Sequence, residues 1–190
     1  MKLPLFVLIA LVPGLMAAAP APLVIDGEQS RLEVVVKATL DSFVGRIEDY
    51  TATVTVDGGR VVAARLDFHF ADVHTGKEAR DAAMNEWQQT TDHPEVVFIL
   101  ASLESAADAV AGNRTARGSL SFHGVTREIA FPVSITTDQK LYSIDGEAPL
   151  DTRDFGLPVI RKFGVLKVDP IVKVRFHLQG SVNVSNPKAS

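Results

Sequence analysis

Hydrophobic and polar residues alternate with a period of two along most of this chain. The alternation is longest near the C-terminus. Between Ile171 and Val184, the residues Val172, Val174, Phe176, Leu178, Val182 and Val184 share one face with Gly180, while Lys173, Arg175, His177, Gln179, Ser181 and Asn183 take the other. So sustained a two-faced run predicts a strand with one side on an apolar interior and the other in water. Upstream, Leu32, Val34, Val36 and Ala38 alternate with polar neighbours, as do Tyr50, Ala52, Val54 and Val56. Asp57-Gly58-Gly59 reads as a hairpin turn into Val62, Ala64, Leu66, Phe68 and Phe70. Ala116, Gly118, Leu120 and Phe122 lead through a turn at His123-Gly124 to Ile129, Phe131, Val133 and Ile135. Glu95 to Leu103 is apolar on both faces and fits the pattern poorly, and Tyr142 to Ala148 is a weaker strand.

About eight strands with short connections predict an all-β fold, an eight-stranded antiparallel barrel able to hold one small ligand. A two-sheet sandwich has the same periodicity and stays open as an alternative. An outer-membrane barrel would turn its apolar face outward and carry two aromatic girdles, which one Trp and two Tyr cannot supply. The apolar face is therefore expected to point inward.

One segment breaks the pattern. Thr75 and Glu78 spell a Thr-x-x-Glu capping box, predicting a short helix from about Gly76, and Asp92-His93-Pro94 stops it. On a helical wheel Ala79, Arg80, Ala83, Met84 and Trp87 share one face, and Lys77, Asp81, Asn85 and Gln88 the other. So short a helix is marginal alone and is expected to dock on the strands.

The first residues change the picture of where the protein works. Lys2, the apolar run Leu5 to Val12 and the small residues Ala17-Ala18-Ala19 read as a signal peptide over residues 1–19, with cleavage between 16 and 22. Export to the periplasm, or secretion, is the expected localisation. About 170 residues then remain, enough for one domain over 23–185. With no cysteine there is neither a disulfide nor a thiolate metal site. The net charge is −4, or −5 without Lys2, and points to no nucleic-acid partner.

Candidate chemistry is sparse. The five histidines do not pair at metal-ligand spacings, so no metal and no cofactor is expected. No nucleophile elbow, His-Glu-x-x-His or phosphate loop occurs, and the Asp151/Asp154 pair fits loop capping, so the chain is not read as an enzyme. The sequons at Asn113 and Asn183 matter only in a glycosylating host. Phe68, Phe70, Phe122, Phe131 and Phe176, with Val174 and Leu178, either fill a solid core or line a cavity for an elongated apolar ligand.

Several stretches, taken in order, resemble the YceI-like family of exported lipid-binding proteins. They are Asp26-Gly27-Glu28-Gln29-Ser30, Val44-Gly45-Arg46, Thr75 to Asp81, His93-Pro94 with Phe98, Gly118 to Thr126, and Asp151 to Leu157. The resemblance implies a lipocalin-like barrel that carries a polyisoprenoid or similar long-chain amphiphile in its bore. It also implies a non-enzymatic periplasmic role and, for some members, association with membrane b-type cytochromes. A fatty-acid, amide or isoprenoid-quinone ligand, or a solid-cored interaction domain, are the alternatives. Gln29 stands where the family often has His, and Glu86-Trp87-Gln88-Gln89 replaces a Phe-rich stretch. In such a barrel the helix would close one end, with Met84 and Trp87 beside the ligand. Arg80 would meet a polar head group or pair with a structural carboxylate.

Overall fold

The computed structural model describes residues 19–39, 41–105, 112–162 and 166–182. The segment read as a signal peptide, up to residue 18, the second sequon and the polar tail lie outside them. Among the described residues, thirteen strand segments make one closed barrel and a small hairpin. The first stave is β1 (Ala21–Ile25) followed by β2 (Arg31–Val36), and the second is β3 (Phe43–Ile47) followed by β4 (Thr51–Asp57). The other staves are β5 (Arg60–His69), β7 (Glu95–Ser105), β8 (Asn113–Phe122), β9 (Val125–Asp138), β10 (Leu141–Asp151) and β13 (Ile171–Val182). Each pairs antiparallel with its neighbour, and β13 closes the ring by pairing with both β1 and β2 along one edge. That closure decides for a barrel of eight staves over a sandwich. The two-residue β6 (Val73–His74) extends the wall beside β3, and β11 (Arg161–Lys162) pairs with β12 (Leu166–Lys167) outside it.

Local chemistry explains the breaks in the staves. Between β1 and β2 the Asp26 carboxylate accepts from the Glu28 and Gln29 amides, making an Asx turn. The Asp26 amide and the Ser30 hydroxyl both hold the Gln179 backbone, so the interrupted stave stays sewn to β13. Gly58 and Gly59 both take positive φ in the β4–β5 turn, the conformation a tight hairpin requires.

Two bulges overturn expectations drawn from strict alternation. Thr55 pairs with Ala63 but Val56 with Val61, so Val62 is an extra residue and faces solvent at 53 % exposure, not the interior. Val61 takes its place inside. Likewise Ala101 is extra between Leu100 and Ser102, which lets Leu100 and Leu103 both face inward and explains why β7 fitted the pattern poorly. Phe70 belongs to a 3₁₀ turn (Phe70–Asp72) beyond β5. Apart from these shifts the inward faces are as expected. The outer surface carries ion pairs, among them Lys173 and Arg175 on Glu147 and His177 on Asp145. The two cations hold the Glu147 carboxyl below its usual range.

The helix α1 (Glu78–Gln88) is shorter than expected, and its N-cap is Lys77, whose side chain makes no capping bond. Thr75 instead donates its hydroxyl and its amide to the Asp81 carboxylate, so the capping box does not form. The helix ends at Gln89 in the left-handed conformation, before the proline is reached. The expected outer face is also corrected. Gln88 is fully buried, Asp81 and Asn85 are half-buried, and Ala79 and Ala83 are exposed. The helix thus ties Asp81 and Gln88 to its flanking segments through hydrogen bonds, while Met84 and Trp87 pack against the buried core cluster and line a groove.

Candidate functional site

The bore is walled by alternate residues of seven strands and is almost wholly apolar. Of the 22 residues around it only Arg65 is polar. Phe68, Phe131, Val174, Phe176 and Leu178 lie here as the periodicity places them, joined by Phe98, Leu100, Leu103 and Ile129. Phe98 and Phe131 have ring centroids 5.4 Å apart, and Phe176 meets Phe131 edge-on at 6.0 Å. About 120 Å³ stays empty between these rings. An apolar cavity of about 150 Å³ admits benzene and stays dry otherwise, so the free space suits an isoprene-sized group. A longer chain needs the rings to turn aside.

A solid plug closes the helix end. Phe155 and Leu157 pack there with Leu32, Ile47, Val73, Phe70 and Phe122, and Phe155 and Leu32 are nearly inaccessible. Phe70 and Phe122 therefore belong to the plug and not to the cavity wall. The loop that carries Phe155 is fixed on several sides. Asp151 accepts from the Arg153 amide and guanidinium, and Arg153 holds the Asp151 carboxyl below its usual range. The Thr152 hydroxyl donates to the Pro170 carbonyl, Arg127 Nε donates to the Asp154 carbonyl, and His123 Nδ1 donates to the Phe155 carbonyl. The His123 ring stands edge-on to His93, with centroids 4.7 Å apart. The resemblance motifs around His93, His123 and Asp151 thus meet at one place, and they build this plug.

Beyond the plug lies an open groove of about 600 Å³ between the β2–β3 hairpin, α1 and the segments 158–161 and 168–172. Ala79, Ala83, Met84 and Trp87 form its helical side, facing Val36, Phe43, Ile160 and Val172. Met84 and Trp87 thus line this mouth and not the bore. Trp87 is pinned by its indole N–H, which donates to the Pro158 carbonyl at 2.8 Å. Arg80 neither pairs with a carboxylate among the described residues nor points away. Its guanidinium lies 4.1 Å above the Phe43 ring centroid, with Asp41, Arg161 and Asp169 on the same rim. Phe43, Pro158 and Ile160 escaped the periodicity because they lie at a strand end and in a loop, where no alternation marks them.

Among the described residues no group of three or more His, Cys, Asp or Glu side chains could hold a metal ion. Burial pushes the Tyr50 hydroxyl up, keeping it neutral where it packs between the plug and the far end of the bore. The site as a whole offers apolar surface, one stacked cation and few directional contacts.

Comparison with known proteins agrees with this architecture. The YceI-like domain matches residues 23–180. Among solved structures, BcnA of Burkholderia cenocepacia superposes with a TM-score of 0.71 at 17% identity, covering 82% of this chain and 98% of that one. A polyisoprenoid binding domain from Saccharophagus degradans, implicated in plant cell wall breakdown, gives 0.63 at 15% identity over 87% and 100%. The Campylobacter jejuni YceI protein gives 0.62 at 14% identity over 73% and 84%. No curated protein matches.

Proposed function

The chain belongs to the YceI-like domain family, and from that premise we propose that it binds a polyisoprenoid or similar long-chain amphiphile, with the chain in the bore and the polar end towards the helix-side groove, the Phe155 plug between them parting to let it pass. The observation that carries the reading is the lumen, whose wall is apolar but for Arg65 and which is incompletely filled. Each CH₂-sized group taken from water contributes about 0.8 kcal/mol, so a tube of this kind holds a chain without directional contacts. The solved S. degradans relative is itself described as a polyisoprenoid binding domain, which supports the class of ligand. Binding and transport need no nucleophile or metal, so we read the protein as a carrier and not as an enzyme. The basic, apolar and small residues near its start support a periplasmic site for that work.

Trp87 supplies the test, because it is the single tryptophan and lines the groove. Its emission shifts when lipid is extracted with solvent and returns when a polyprenol is added back. Unchanged emission in protein shown to be stripped and reloaded would remove the groove from the binding site.

A further inference from the structure

We propose that Gly146 sets the calibre of the bore, and so the length of chain it accepts, by giving the Phe176 ring a berth against the wall. The inference rests on the lipid-binding reading above. Gly146 and Phe176 stand directly opposite each other on β10 and β13. Gly146 is in phase with Ile144 and Ala148, both buried, so a side chain there would enter the lumen. The Phe176 ring occupies that place. A Cβ on Gly146 would stand 2.6 Å from Phe176 Cε1 and 3.1 Å from Cε2, and nearer still to Cζ. An aromatic ring laid across a facing glycine is a known cross-strand arrangement, and here it draws the ring out of the axis.

Adding a methyl group at this position moves only the ring. All three of its nearest atoms belong to the far end of one side chain, and Phe131 flanks that ring at 6.0 Å. The free direction is the empty lumen of about 120 Å³. Gly118 plays a similar part for Phe98, but a Cβ there also strikes the Ile99 carbonyl oxygen, a backbone atom next to the Ala101 bulge. Gly118 therefore cannot change without moving a strand, whereas Gly146 can.

The test measures uptake of a short prenol, farnesol, and a long one, solanesol, by delipidated wild-type protein and Gly146→Ala. Gly146→Ala retains farnesol and weakens solanesol about tenfold relative to it, as expected for about two CH₂ groups losing burial. Phe176→Leu, which empties the berth without touching Gly146, moves the ratio towards solanesol and decides the matter should Gly146→Ala fail to fold. An unchanged ratio in folded Gly146→Ala, or a Phe176→Leu shift towards farnesol, overturns the role of Gly146. Wild-type protein that takes up neither prenol overturns the lipid reading itself.

Discussion

Replacing Gln88 by alanine tests how the helix is held at the mouth of the barrel. Gln88 is wholly inaccessible, its amide donates to the His93 carbonyl at 2.9 Å, and its oxygen accepts from the Thr90 hydroxyl at 2.7 Å. In Gln88→Ala the Thr90 hydroxyl keeps its bond to the Asn85 carbonyl, but the His93 carbonyl loses its amide partner. A buried acceptor left unsatisfied costs about 1–3 kcal/mol, and removing the Cγ methylene adds about 0.8 kcal/mol. The expected loss is about 2–4 kcal/mol, or a fall in Tm of about 4–16 °C for a domain of this size. Urea unfolding at neutral pH measures it as a lower midpoint with an unchanged slope. The exposed neighbour Ala82→Ser on the same helix serves as control and stays within about 0.5 kcal/mol. Because the helix turns its apolar side to the groove, loosening Gln88 also weakens the hold on Trp87, and its emission moves to the red. A loss below about 1 kcal/mol would mean that water replaces the amide and that the helix is seated by other contacts.

Two further substitutions separate the plug from the bore and test the late loop. Phe155→Ala, in the solid plug at 2% exposure, costs about 3–5 kcal/mol, whereas Phe176→Ala beside the existing cavity costs less than that range and leaves a folded barrel; equal losses in urea unfolding would mean a solid core throughout. Asp151→Asn removes a carboxylate whose folded pKa is depressed by Arg153, so its contribution is full above the unfolded value of about 4 and is lost as pH falls through the folded value. The difference in urea midpoint between wild type and Asp151→Asn therefore shrinks on acidification from neutral pH; a constant difference would refute the pairing.

The barrel was legible because β8 from Ala116, β9 from Ile129 to Ile135 and β13 from Val172 alternate regularly, and each such run commits its inward residues. Alternation fails where one residue is inserted, since Val62 and Ala101 look like any apolar strand residue yet shift the phase of the rest of their strands. The helix was legible as an element, but its orientation was not. A wheel puts polar residues outward, whereas Gln88 and Asp81 meet hydrogen-bond partners on neighbouring segments that no local pattern contains. The inward positions of Phe131, Val174, Phe176 and Leu178 follow from period two alone, but period two does not distinguish a filled core from a lined cavity. The groove does not, because seven of its lining residues come from the segments 158–161 and 168–170, where no alternation marks them. The berth for Phe176 is likewise invisible in one strand, since it exists only when β10 and β13 are placed side by side.

Native mass spectrometry of the protein purified from a periplasmic extract, without detergent or solvent, tests lipid binding most directly. Binding in the bore predicts one retained molecule per chain, released on collisional activation, with the mass of a polyisoprenoid or related long-chain amphiphile. Protein that carries no adduct as isolated, and acquires none after incubation with polyprenols, would contradict it.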